Sequence, residues 1–166
     1  MVNRRTTLML LSGSLIAPRV ALAATAREIT WDDLLPPGVP YAEIIGEGDM
    51  DEANDTWAPI FDENATKLNE ELDGAYIKMP GYIIPFDMGS DGVSNFMLVP
   101  YVGACIHVPP PPANQLVLVS ASEPWPRDKL WDAVWVTGTL STHLQDTSLG
   151  QTGYSISRAK MELYEW

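Results

Sequence analysis

The sequence predicts a mostly β protein: a small five-stranded barrel with a short helix between its third and fourth strands and an irregular N-terminal arm. Three observations carry that expectation. From residue 75 onward, short runs rich in β-branched and aromatic residues are separated by clusters of Gly, Pro and Asn, which is the punctuation of strands and turns. Inside that region, residues 126–132 begin with proline and carry Leu130 and Trp131, as a short helix would. A single cysteine, Cys105, rules out an intrachain disulfide, so one hydrophobic core must hold the fold unaided.

The candidate strands are 75–84, 95–101, 104–108, 115–120, 133–140 and 153–164. Only Val102 and Gly103 separate the second run from the third, so these two are read as one strand bent at Gly103. Five strands remain, with the helix between the third and the fourth. That is the element order of an OB-fold barrel. Successive side chains point to opposite faces of a strand, which sends Ile77, Ile83, Leu98, Val117, Val119, Val134, Val136 and Ile156 to the interior.

Ahead of the barrel the sequence divides twice. Residues 1–23 read as a cleavable signal peptide: Arg4 and Arg5 precede an apolar run from Leu8 to Ala17, and Ala21-Leu22-Ala23 is a small-x-small cleavage site. The run is too short to span a bilayer and is interrupted by Pro18 and Arg19. The arginine pair also resembles a twin-arginine export signal. Residues 24–73 form the acidic arm, where Trp31, Leu34 and Leu35 make an apolar anchor for the barrel and residues 62–72 form one or two helical turns before Gly74. Asp49, Asp51, Glu52 and Asp55 invite a calcium-loop reading, but the loop glycine is missing, and a solvated acidic loop is the better account. Residues 74–166 are the barrel domain. The whole chain has a net charge of −12; without residues 1–23, seven basic residues face 22 acidic ones, a net charge of −15. Such a surface repels nucleic acid and anionic lipid, and no stretch of the mature chain is long and apolar enough for a membrane span.

Several blocks resemble one family. They are Met79-Pro80-Gly81-Tyr82, Phe96-Met97-Leu98-Val99-Pro100-Tyr101, Gly103-Ala104-Cys105-Ile106-His107 with the proline run after it, Asn114-Gln115, Gly153-Tyr154 and the early Trp31-Asp32-Asp33-Leu34-Leu35-Pro36. Together they are similar to a bacterial exported domain-of-unknown-function family, DUF3299-like, over nearly the whole mature chain. The resemblance implies an OB-like fold, export to the periplasm, and company with ABC-type transporter and zinc-response genes. It implies no activity.

The chemistry-bearing candidates are Cys105 and His107. Two residues apart on a strand, they share a face with Cα atoms about 7 Å apart. A thiolate and an imidazole there suit zinc or copper, with His143, an acid or one of Met79, Met88 and Met97 as a third ligand. The competing reading is a buried cysteine and a structural histidine. A thiol hydrolase would need a turn or helix N-terminus before Cys105 to depress its pKa, and none is predicted. No Gly-x-Ser-x-Gly, phosphate loop or dinucleotide fingerprint occurs. A binding surface is drawn instead through Tyr82, Tyr101, Asn114 and Trp125. The expectation is a periplasmic accessory or binding protein without turnover, linked to metal-ion supply or a transporter. The alternative is a scaffold that binds a protein or small ligand without metal.

Overall fold

The computed structural model describes residues 25–51, 56–86, 88–102 and 110–165. Eight strands are present among them: β1 (Arg27–Glu28), β2 (Ile44–Asp51), β3 (Thr56–Phe61), β4 (Tyr76–Pro85), β5 (Val93–Val99), β6 (Val117–Trp125), β7 (Val134–Thr147) and β8 (Gly150–Leu163). Strands β4 to β8 pair in the order β4-β5-β6-β8-β7, and β7 returns to β4 to close the sheet. All of these pairings are antiparallel except β6 with β8, which run parallel. The result is the closed five-stranded, OB-like barrel that the strand order predicts.

Closure is achieved within β4. Its first half, Tyr76 to Gly81, pairs with β7, and its second half, Tyr82 to Pro85, pairs with β5. The change of partner falls at Pro80-Gly81, where proline removes a ladder donor and glycine relieves crowding. A Cβ on Gly81 would lie 2.7 Å from Cγ of Leu98. This is why the Met-Pro-Gly-Tyr block sits where it does: the strand can bend around the core only at a residue without a side chain.

All eight residues expected inside the barrel are buried, with Phe96, Leu140, Tyr154 and Ala159 joining them. Between β6 and β7 the predicted helix is a single 3₁₀ turn, Arg127–Lys129, started by Pro126. Strands β7 and β8 run past the sequence estimates into a long hairpin. Beyond Leu140 the alternation is lost because the strand leaves the core and both faces meet water.

The arm is less irregular than its sequence implies. Strand β1 pairs parallel with β4, and β2 with β3 forms a separate two-stranded antiparallel sheet. Two 3₁₀ turns follow, Glu63–Thr66 and Glu70–Leu72, each started by a capping side chain: Asp62 accepts from the Asn64 N–H and Asn69 from the Glu71 N–H. Ile29, Leu34 and Leu72 of the arm are buried in the same core as the barrel residues. The anchor thus docks as expected. The signal peptide and the strand expected at 104–108, with its bend at Gly103, lie outside the described residues.

Candidate functional site

A closed barrel needs one core, and this one carries a second apolar layer outside it. Strand β5 holds an unbroken run, Phe96-Met97-Leu98-Val99, in which all four residues are buried. Phe96 and Leu98 point inward, so Met97 and Val99 face out. There they meet Leu116 and the half-buried Tyr82, Ile84, Phe86 and Tyr101. The ladder explains the grouping, since Tyr82 lies opposite Val99 and Ile84 opposite Met97. Of the predicted surface residues, the structure brings Tyr82 and Tyr101 together on this outer face. Burial, and to a smaller extent the nearby Tyr101 hydroxyl, pushes the Tyr41 hydroxyl, on the approach to β2, up to about 12.

Beside the aromatic patch one row of the outer face is polar but uncharged, ahead of the Lys78, Lys160 and Glu162 ion pairs farther along the same face. Asn95 of β5 lies opposite Ser120 of β6, Ser120 beside Ser157 of β8, and Ser157 opposite Thr139 of β7. The Ser120 hydroxyl donates to Oδ1 of Asn95 at 2.8 Å. In a chain with a net charge of −12, an uncharged band across four strands is a local departure from the rest of the surface.

Two residues expected on a binding surface are inside instead. Asn114 is fully buried, and its amide nitrogen donates to the carbonyls of Asn64 at 2.8 Å and Lys67 at 3.0 Å. It clamps the arm to the barrel. Trp125 is buried in the main core, and its indole N–H donates to the Lys129 carbonyl at 3.1 Å, which holds the 3₁₀ turn down. The neighbouring Trp131, by contrast, is 76% exposed. In each case a hydrogen-bonding handle made the side chain useful to the core, which residue type alone does not reveal.

The other motif blocks prove structural in the same way. Gln115 donates to the Trp31 carbonyl at 3.1 Å, and the Tyr154 hydroxyl donates to the Leu34 carbonyl at 2.5 Å while accepting from the Asn69 N–H at 2.6 Å. Gly153 lets the 3₁₀ turn Ala113–Gln115 approach: a Cβ there would lie 3.0 Å from the Ala113 carbonyl oxygen. Gln115 and Tyr154 therefore fasten Trp31 and Leu34, while Asn114 fastens the 3₁₀ turn that begins at Glu63.

Cys105 and His107 lie outside the described residues. His143 is exposed on the part of β7 that has left the core. Met79 and Met97 are buried, Met79 among the barrel's interior residues, and Met88 is exposed. Among the described residues no group of three His, Cys, Asp or Glu side chains could hold a metal ion. Nor is any described helix long and apolar enough to cross a membrane.

The layer formed by Ile84, Phe86, Met97, Val99 and Leu116 is what residue-type reasoning missed. Its signal was the run of four consecutive apolar residues at 96–99, since a strand with only one face covered would alternate.

The family described as "Protein of unknown function (DUF3299)" matches residues 31–163. A crystal structure of a DUF3299 family protein from Pseudomonas aeruginosa PAO1 is similar to this chain, with 35% identity and a TM-score of 0.71, over 86% of this chain and 99% of that one. No curated protein matches. With a barrel of the expected topology and a family match from Trp31 to Leu163, the chain belongs to the DUF3299 family.

Proposed function

We propose that this chain is an exported accessory protein of the periplasm that binds a partner through the outer face of β4 and β5, without turnover. The single observation that carries the reading is the second apolar layer, in which Tyr82, Ile84, Phe86 and Tyr101 are only partly buried above fully buried Met97 and Val99. Apolar surface presented beside a polar rim is the usual composition of a binding face. OB barrels offer the face of their second and third strands, here β5 and β6, to their ligands, and the patch shares β5 with that face. The uncharged band from Asn95 to Thr139 and the acidic total charge favour a neutral or cationic partner over a polyanion. The leader-like residues 1–23 support export, and the partner proposed is a transporter component or a metal-supply protein of that compartment.

The test compares the wild-type chain with a Tyr82→Ser/Tyr101→Ser double variant, cross-linked in periplasmic extract. The expected result is a discrete partner band with wild type that the variant loses while keeping its circular-dichroism spectrum. Partner bands of equal intensity in both would overturn the proposal. Finding the chain with residues 1–23 intact and confined to the cytoplasm would overturn the compartment.

A further inference from the structure

The β2–β3 hairpin is a sheet of its own, hydrogen-bonded to no barrel strand among the described residues. An isolated two-stranded hairpin is marginal in water, because it has no third strand or opposing layer to cover its side chains. This one leaves Ile45, Met50 and Ile60 exposed by 67%, 60% and 54%. Exposed Glu43, Glu47 and Asp49 stand among them, and the sequence from Glu43 to Phe61 contains no lysine or arginine. The hairpin is thus both apolar and acidic. Its two edges differ. Pro59 lies within β3 and cannot donate to a further strand, whereas β2 has no proline, although its ladder to β3 shifts register between Ile44 and Gly46 and again between Gly46 and Asp49.

We infer that the hairpin is a docking element for a polypeptide segment that is both basic and apolar and that adds along the open edge of β2. Main-chain hydrogen bonds would supply affinity, apolar side chains would cover Ile45, Met50 and Ile60, and cationic ones would meet the carboxylates. A second copy of this chain brings the same negative charge to the edge and is repelled, and an anionic membrane is repelled likewise.

The probe is a synthetic peptide of about ten residues, long enough for one strand, alternating Lys and Val. Its controls are a Glu-Val and a Lys-Gly peptide of equal length. Binding is followed by fluorescence anisotropy at two salt concentrations, and hydrogen exchange locates it. The Lys-Val peptide is expected to bind, to slow exchange of the β2 amides, and to weaken about tenfold or more with Ile45→Ser/Met50→Ser/Ile60→Ser, which leaves the charge unchanged. Glu47→Lys/Asp49→Lys should shift preference toward the Glu-Val peptide. The Tyr82→Ser/Tyr101→Ser protein should bind as wild type does, which separates this inference from the outer-face proposal. Equal binding of Lys-Gly, or of the triple serine variant, would reduce the effect to charge alone and overturn the inference. So would a hairpin-dependent dimer in sedimentation, or hairpin-dependent binding to phosphatidylcholine vesicles.

Discussion

Tyr154 shows how one side chain can join two parts of a fold. Its ring fills the barrel core, while its hydroxyl reaches the arm, donating to Leu34 and accepting from Asn69. Replacing it with phenylalanine keeps the ring and leaves the buried Leu34 carbonyl and the partly buried Asn69 N–H without this partner, which should cost about 1–3 kcal/mol. Urea unfolding that shows no loss for Tyr154→Phe would refute the latch. Burial also raises the pKa of this hydroxyl from 10.0 to about 12. The folded state therefore holds its proton in a range where the unfolded chain has released it. The stabilisation is whole below about pH 10 and falls as pH rises from 10 to 12, by on the order of 3 kcal/mol. The wild-type protein should lose stability across that window more steeply than Tyr154→Phe. Tyr41 is also raised to about 12 but is half exposed, so solvent screens its contribution, and it is common to both proteins. Parallel slopes would show that the Tyr154 hydroxyl is not protected as the geometry requires.

Among the elements, β8 marks the boundary between what residue order reveals and what it hides. Alternation correctly places Ile156 inside, as it does the other seven interior residues, because each faces a single packed core. After Ser157 the alternation shifts: Arg158 has φ +56°, the ladder to β7 slips there, and Ala159 is the next buried residue. That is a β-bulge, and arginine carries no signal for it. The outer patch was half legible for a related reason. Tyr82 and Tyr101 could be named from their type, but Met97 and Val99 look like ordinary core residues until the strand is seen to be covered on both faces. Asn114 was misplaced because the arm it bonds to folds back from far away in sequence, and Trp125 because its loop position hides that it closes the core and holds the turn at Lys129. The bulge itself is testable, since a left-handed backbone suits glycine and strains a β-branched residue. Arg158→Gly should leave stability unchanged or raise it by up to about 1 kcal/mol, and Arg158→Val should lower it by about 1–3 kcal/mol. Thermal melts in which valine matches glycine would contradict the observed backbone.

At the scale of the whole molecule, the composition boundary near residue 73 does not mark a boundary in the core. Ile29, Leu34 and Leu72 are each no more than 1% exposed and belong to the barrel's own cluster. The Ile29 N–H donates to the Lys78 carbonyl at 2.9 Å, and the Gly74 N–H to the Leu140 carbonyl at 2.9 Å. The flanks of the arm are therefore part of the barrel, and only the hairpin between them stands apart. Leu34→Ala should cost about 2–5 kcal/mol as a core cavity, and it should lower the single unfolding transition rather than create a second one. Hydrogen exchange then separates the parts within one molecule. The amides of Ile29, Leu72 and Gly74 should open only with global unfolding, at the same free energy as those of β4. The ladder amides of β2 and β3 should open at far lower free energy, because no described strand of the barrel pairs with that sheet. If the hairpin were as protected as β4, it would already be packed in the free protein, and its exposed Ile45, Met50 and Ile60 would have no partner left to recruit. If the flanks exchanged as fast as the hairpin, the arm would be a separate unit, and the contacts of Asn114, Gln115 and Tyr154 with it would contribute little to holding the fold.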